Sequence, residues 1–401
     1  MEKIKIEIVP NYFLKNDGTF DMEEALKLSG KFAGVCYDKE GFTHLLNEDE
    51  SITMKRVAMT LNNGHHSVYD HIFISFNIQN IPKILAMVIN NEKEYTTSEK
   101  SARYTPVSFI KNETSFITQD EEELYNKWLG IFKTKIKEKY GEIYSDVKIK
   151  KLAQENARYL VTVFMPTQMV YTTSLRQINY IASWMVKYMC EVASHNNKFE
   201  KKLAFSMSEF ISELDRLNIL EKKLMGNEKH LSLSLFGKEL DNVEEHFGNV
   251  YATTYKASFA ELAQAQRHRT LDYQMELLDD KEYFIPLIIS DDKELVAEWL
   301  NDMERVKDVY PQGELVKISE MGKYENFILK CKERLCSASQ LEIMIQTKET
   351  LLQYKKALEK SENPLAKDIV KYSRGARCTF PDFECSDDCK FKEGKLLIRK
   401  I

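Results

Sequence analysis

A mixed α/β fold is predicted, arranged as two homologous domains, each a sheet flanked by helices. Two observations predict it. An alternating run, a short turn and a helix occur at 72–89 and recur at 249–269; a period of two marks a strand, and a three- to four-residue spacing marks a helix. The segments after each copy also correspond. Gln154-Glu155-Asn156-Ala157-Arg158 precedes an irregular run and a long helix ending near Cys190–Ala193. Trp299-Leu300-Asn301-Asp302 precedes Tyr310-Pro311-Gln312-Gly313, then a helix through Asn326, Arg334, Gln340 and Glu342. Such self-similarity implies two copies of one unit. The domains are 1–221 and 222–401, joined within 222–242, where Gly226-Asn227 and Gly237 fall and Leu231–Phe236 reads as an extra strand.

In chain order, Met1–Ile8 alternates like a strand, Asn16-Asp17-Gly18 turns, and a helix starts at Met22. Asn63-Gly64 makes a turn before His65–His71. Ile72, Ile74, Phe76 and Ile78 then point one way, and Phe73, Ser75 and Asn77 the other, as in a half-buried strand. Pro82 stands near the start of a helix carrying Ile84, Leu85, Val88 and Ile89. The polar stretch Asn90–Arg103 follows.

The chain has 401 residues, 43% hydrophobic and 30% charged, with a net charge of −5. That suits two globular domains and gives no general attraction to nucleic acid or membrane, so an anionic ligand needs a local cluster. No run approaches a membrane span of about 18 apolar residues, and the start does not read as a signal peptide. Seven cysteines without such a signal point to reduced thiols and a cytoplasmic location.

The densest chemistry lies at Gln264-Ala265-Gln266-Arg267-His268-Arg269. Ser258, three residues before Glu261, reads as an N-cap with its capping box. A helix from Phe259 would set Gln264, Arg267 and His268 on one face. An amide, a guanidinium and an imidazole together suit a flat, phosphate-bearing ligand such as a nucleotide. Spacing alone leaves a second reading open, a solvated basic helix end.

With both halves in view, the chain resembles the flavin-dependent thymidylate synthases. Their signature is Arg-His-Arg, seven residues, then Ser-x-Arg-Tyr. Here it is split. Arg267-His268-Arg269 stands in the second half, with Leu277 and Asp279 at the serine and arginine positions; Ser101-Ala102-Arg103-Tyr104, preceded by Glu99, stands in the first half, whose Arg-His-Arg positions fall in Asn90–Lys93. His65-His66-Ser67-Val68-Tyr69-Asp70-His71 is similar to the family's His-x-Ser/Thr-x-x-Glu-His segment. Arg158 and Arg176 match an arginine pair in spacing, with Ser174 where Asn is usual. Arg334, ahead of Ala338-Ser339-Gln340-Leu341-Glu342-Ile343, is similar to a later arginine and its helix, and the first half has Met185 at that place. The losses are complementary, as expected if each half keeps its contribution to hybrid sites.

The resemblance implies reductive methylation of dUMP to dTMP with FAD, methylenetetrahydrofolate and NADPH. The substrate would be bound by Glu99, Ser101, Arg103, Arg158, Gln264, Arg267 and Arg334, of which Ser101, Arg267 and Arg334 are the catalytic set. FAD would lie against Ser67, Asp70, Arg176, Arg267, His268 and Arg269. Two fused chains would form a homodimer that recreates the family's four-domain assembly. The alternatives are a related pyrimidine C5-modifying flavoenzyme and a nucleotide-binding scaffold without catalysis. His65, His66 and His71 read, by spacing alone, as turn-closing histidines.

Cys378, Cys385 and Cys389 cluster in a polar segment, and Cys331 and Cys336 lie near Arg334. Three or four thiolates could hold a structural zinc. The spacings, six residues and then three, match no strong ligand pattern, so the reading taken is plain reduced thiols and no metal.

Overall fold

The computed structural model describes residues 3–101, 118–226, 234–386 and 389–401. Arg103, and with it the predicted Ser-x-Arg loop beyond Ser101, lies outside them. The chain runs β1 (Lys5–Ile8), α1 (Met22–Gly34), α2 (Phe42–Leu45), α3 (Glu50–Asn62), β2 (Phe73–Pro82), α4 (Lys83–Ile89), β3 (Tyr95–Glu99), α5 (Gln119–Tyr140), α6 (Asp146–Ala157), β4 (Pro166–Ser174), α7 (Leu175–Val192), α8 (Lys198–Arg216) and α9 (Lys222–Met225). It continues as β5 (His246–Phe247), β6 (Val250–Ser258), α10 (Phe259–Ala265), β7 (Asp272–Leu277), α11 (Lys293–Arg305), β8 (Leu315–Lys323), α12 (Tyr324–Arg334), α13 (Leu341–Lys360), α14 (Ala366–Ile369) and α15 (Lys392–Lys395). The fold is mixed α/β, as predicted.

Two compact units emerge, and both are discontinuous: residues 1–100 with 166–232, and 101–165 with 233–401. Compactness therefore cuts the chain differently from the continuous halves 1–221 and 222–401. The segment holding α5 and α6 precedes residue 221, yet it packs in unit 2.

Unit 1 is built on an antiparallel sheet of order β1-β2-β4-β3. The register pairs Ile8 with Phe76, Ile74 with Thr173, Phe76 with Tyr171 and Ile78 with Met169. These side chains share one face and all are buried. Each large apolar one contributes about 1.5–3 kcal/mol. α4 is buried from Ile84 to Ile89. α7 buries Leu175, Ile178, Ile181, Ala182 and Met185, a stripe at helical spacing, and Ser174 caps it by accepting the Gln177 amide. The predicted strand 72–78 and its following helix are present, while β3 lies in what reads as a polar stretch.

Unit 2 carries a second antiparallel sheet, β5-β6-β8-β7, with the same order and connectivity. α5 and α6 pack with α11 in an apolar cluster that includes Trp128, Phe132, Ile149, Leu152, Trp299 and Met303. Trp128 meets Trp299 edge-on at 4.9 Å, and its indole N–H donates to Asp302 at 2.9 Å. The irregular run after α6 pairs with the irregular run before β8. Val163 donates to Tyr310 O, Gln312 to Val161 O and Gly313 to Tyr159 O, all at 2.8 Å. The helix predicted through Arg334 and Glu342 breaks into α12 and α13. Ser234–Phe236, the described part of the predicted extra strand, is not a strand.

Candidate active site

The site in unit 2 is set by the way α10 begins and ends. Ser258 is its N-cap, and its Oγ accepts the Glu261 amide at 3.1 Å. The reciprocal half of the expected capping box is absent. The Ser258 amide donates instead to Glu342 on α13 at 2.8 Å, and the Ser258 hydroxyl to the same carboxylate at 2.6 Å. Tyr159 also donates to Glu342 at 2.8 Å, Gln340 donates to Tyr159 at 2.5 Å, and Arg158 donates to Gln340 at 2.6 Å. Arg158 is therefore turned inward on this network. Burial pushes the Glu342 carboxyl up, and the Ser258 and Tyr159 donors oppose it.

α10 ends at Ala265, so Gln264, Arg267 and His268 do not share a helix face as expected. The chain turns instead: the Arg267 amide donates to Gln264 O and the His268 amide to Ala265 O. That turn leaves Arg267 and Arg269 exposed and buries His268 between them. Arg334, from the end of α12, donates through Nε to His268 Nε2 at 2.6 Å and reaches Gln264 O at 3.4 Å. Burial, then the Arg334 and Lys330 charges, push the His268 pKa down to about 2. The ring is neutral, and accepting at Nε2 places its proton on Nδ1, 3.5 Å from Glu333. Three predicted residues, Gln264, His268 and Arg334, thus meet in one place.

Three acceptor oxygens of α10 stand out. Gln264 Oε1 and both carboxylate oxygens of Glu261, one turn earlier, are buried without a hydrogen-bond partner. Such groups ask for a donor. Burial is the main cause that pushes the Glu261 carboxyl up to about 8.

Beneath this turn lies a network the sequence reading missed. Lys330 and Glu320 are both fully buried and paired at 2.6 Å. Glu320 also accepts from Tyr251 at 2.5 Å and Tyr255 at 3.0 Å. One signal was available: Lys330 falls within the stripe Phe327, Ile328 and Cys331 that α12 buries.

In unit 1, Arg176 pairs with Asp70 at 2.6 Å, and the Ser174 hydroxyl donates to the other Asp70 oxygen at 2.7 Å. Ser67 lies exposed on the short 66–71 helix. Glu99 is held by Lys83 at 2.5 Å and by Asn90 at 3.4 Å. His66 is buried with Nε2 on Leu61 O at 3.0 Å, closing the turn as read. Among the described residues, no three His, Cys, Asp or Glu side chains are grouped to hold a metal ion, and no helix is long and apolar enough to cross a membrane.

Residues 20–188 match the family model described as thymidylate synthase complementing protein. The chain is 22% identical over 148 residues to the flavin-dependent thymidylate synthase of Thermococcus onnurineus, covering 36% of this chain and 57% of that protein. It is 22% identical over 190 residues to that of Pyrococcus abyssi, covering 46% and 72%. The chain thus spans little more than half the length of the first of these relatives. Among solved structures, thymidylate synthase X from Helicobacter pylori, solved with FAD and dUMP, is 14% identical and covers 55% of this chain and 99% of its own, at a TM-score of 0.30. That score is too low to bear on the site. The match to the family model covers residues 20–188 and so leaves out Arg267-His268-Arg269 and Arg334.

Proposed function

We propose that this chain is a flavin-dependent thymidylate synthase, an FAD-dependent methyltransferase that converts dUMP to dTMP with methylenetetrahydrofolate and NADPH. The observation that carries it is the Arg267-His268-Arg269 turn, with His268 bonded to Arg334 beside Gln264, in a chain whose first half matches the family. The shared sheet order of the two units and the pairing of the run after α6 with the run before β8 support two diverged copies of one domain.

The residues present fit a flavin nucleotide. Arg267 and Arg269 offer exposed guanidinium groups for phosphate oxygens, and the orphan Gln264 carbonyl suits a ring N–H. Arg267, His268, Arg269, Ser67, Asp70 and Arg176 would hold FAD, which supplies the hydride when bound and reduced. Glu99, Ser101, Arg103, Gln264, Arg267 and Arg334 would hold dUMP, whereas Arg158, turned inward onto Gln340, would act only through that network. Arg334 and Arg267 place positive charge where it steadies a phosphate or a uracil carbonyl. Burial and the neighbouring Arg334 and Lys330 charges keep the His268 ring neutral. Its role is to fix the Arg334 guanidinium.

The purified protein should carry one FAD per 401-residue chain and run as a homodimer. Flavin absorbance against protein concentration, with light scattering, measures both. Two flavins per chain, or none under saturating flavin, contradicts the split site, and a stable monomer contradicts the dimer.

Arg103→Ala and Arg334→Ala should each weaken dUMP binding by about 1.5–3 kcal/mol. Calorimetry on the double variant should show a loss smaller than the sum, because groups serving one ligand couple. Additive losses would separate the two residues. Absence of dUMP binding to the unaltered protein would leave a scaffold and reject the enzyme.

A further inference from the structure

β1 is an edge of the unit 1 sheet, and among the described residues no strand pairs with its outer side. Val9 donates to Ser75 O at 2.8 Å. In this antiparallel register that turns Lys5 and Glu7 toward β2 and leaves the amides and carbonyls of Ile4, Ile6 and Ile8 on the outer side. A groove of about 840 Å³ runs along β1, walled by Leu14, Leu217 and the end of α8. The central residue of the three is occupied. Glu213 accepts the Ile6 amide at 3.1 Å, and Arg216 donates to Ile6 O at 2.8 Å. A carboxylate for the amide and a guanidinium for the carbonyl stand in for one peptide unit of a further strand. The two side chains also hold each other, at 2.9 and 3.0 Å, so they stay paired when a strand displaces them.

The charges on β1 say which strand fits. Lys5 and Glu7 are exposed and paired at 2.6 Å, while Ile4, Ile6 and Ile8 are buried on the other face. A lone lysine guards an edge strand; a lysine with a glutamate two residues on is self-complementary. With two copies of β1 antiparallel and Ile6 opposite Ile6, the outward groups of Ile4, Ile6 and Ile8 fall in hydrogen-bonded pairs. Lys5 of each copy then faces Glu7 of the other, at the positions where Cα atoms come within about 4.5 Å and side chains are closest. A slide of two residues either way sets Lys5 against Lys5 or Glu7 against Glu7, which repel. A slide of one turns the isoleucine row to the wrong face.

We infer that two copies of this chain join edge to edge through β1, antiparallel and centred on Ile6, with Glu213 and Arg216 yielding the Ile6 groups to the second copy's strand. The isoleucine rows then run on from one sheet to the other along the same face, and the outward backbone groups of both edges find partners. The register is fixed by two Lys5–Glu7 contacts, one on each side of the twofold axis. The interface uses unit 1 alone and goes beyond the enzymatic reading, since it needs neither flavin nor dUMP.

The test is the association of the full chain, followed by light scattering and sedimentation over a dilution series. Lys5→Glu and Glu7→Lys each place like charges at both contacts, on side chains that are exposed in the single copy, and each should weaken association at least tenfold. The double variant Lys5→Glu, Glu7→Lys restores two opposite pairs and should return association to within threefold of the unaltered protein. An equimolar mixture of the two single variants should associate where neither does alone. If a single variant fails to fold, hydrogen exchange of the unaltered protein decides: the Ile4 and Ile8 amides should exchange more slowly as concentration rises. Association unchanged in both single variants, no rescue by the double variant, exchange independent of concentration, or an unaltered protein that stays monomeric would overturn the interface. A protein that binds no dUMP yet follows this charge pattern would reject the enzyme and leave the interface standing.

Discussion

Lys330→Met is expected to destabilise unit 2 by about 3–5 kcal/mol, the usual cost of stranding one member of a fully buried ion pair. Lys330 and Glu320 have no exposed side-chain area and stand 2.6 Å apart. Without the ammonium, Glu320 keeps its two tyrosine donors, but its charge stays in a low-dielectric interior. The Lys330→Met, Glu320→Gln double variant should recover most of the loss, because it removes both charges. Urea unfolding followed by Trp128 and Trp299 fluorescence reads the effect. A loss under about 1 kcal/mol for Lys330→Met would show the pair to be solvated or unformed.

Glu261 should make the protein less stable as pH rises. Its carboxyl is pushed up to about 8 in the folded chain, from an ordinary value of 4.5. Between those values the folded state holds a proton that the unfolded state releases, so stability falls by about 1.4 kcal/mol per pH unit. By pH 8 the accumulated penalty is on the order of 3–5 kcal/mol. The groups facing Glu261 are Lys330 and Arg334, which lower its pKa, and Glu342 and Glu320, which raise it. Glu261→Gln keeps the shape and removes the titration. It should leave stability at pH 5 nearly unchanged and raise it at pH 8, flattening the profile. An equal slope in both proteins would remove Glu261 as its cause.

Much of the frame was legible because it rests on local pattern. The alternation of Ile74, Phe76 and Ile78 and the cap at Ser258 both appear where the residues put them. What was illegible depends on residues far away. Ser258 and Glu261 spell a capping box, but Glu342, 84 positions from Ser258, takes its amide. That exchange leaves Glu261 without the amide, and burial raises its pKa. The end of α10 at Ala265 carries no glycine or proline to announce it, so Arg267 and His268 were assigned to the wrong surface. Family resemblance sets Gln264 and Arg334 at dUMP and His268 at FAD, and nothing in it foretells that Arg334 donates to His268. The partner of α5 and α6 was unreadable, because an amphipathic helix does not name the surface that covers it.

That last point bears on how the molecule is made. Synthesis runs from the amino end, so α5 and α6 leave the ribosome while the residues that will cover them do not yet exist. Asp302, which accepts the Trp128 indole, comes 174 positions later. Unit 1 receives its last strand and helices from 166–226 and can close first, while Trp128, Phe132 and Ile136 wait in solvent for α11. A nascent or clipped chain ending near residue 221 therefore presents an uncovered aromatic surface, the kind of species that recruits chaperones or aggregates. The repeat boundary in the sequence is not a place where this protein can be divided.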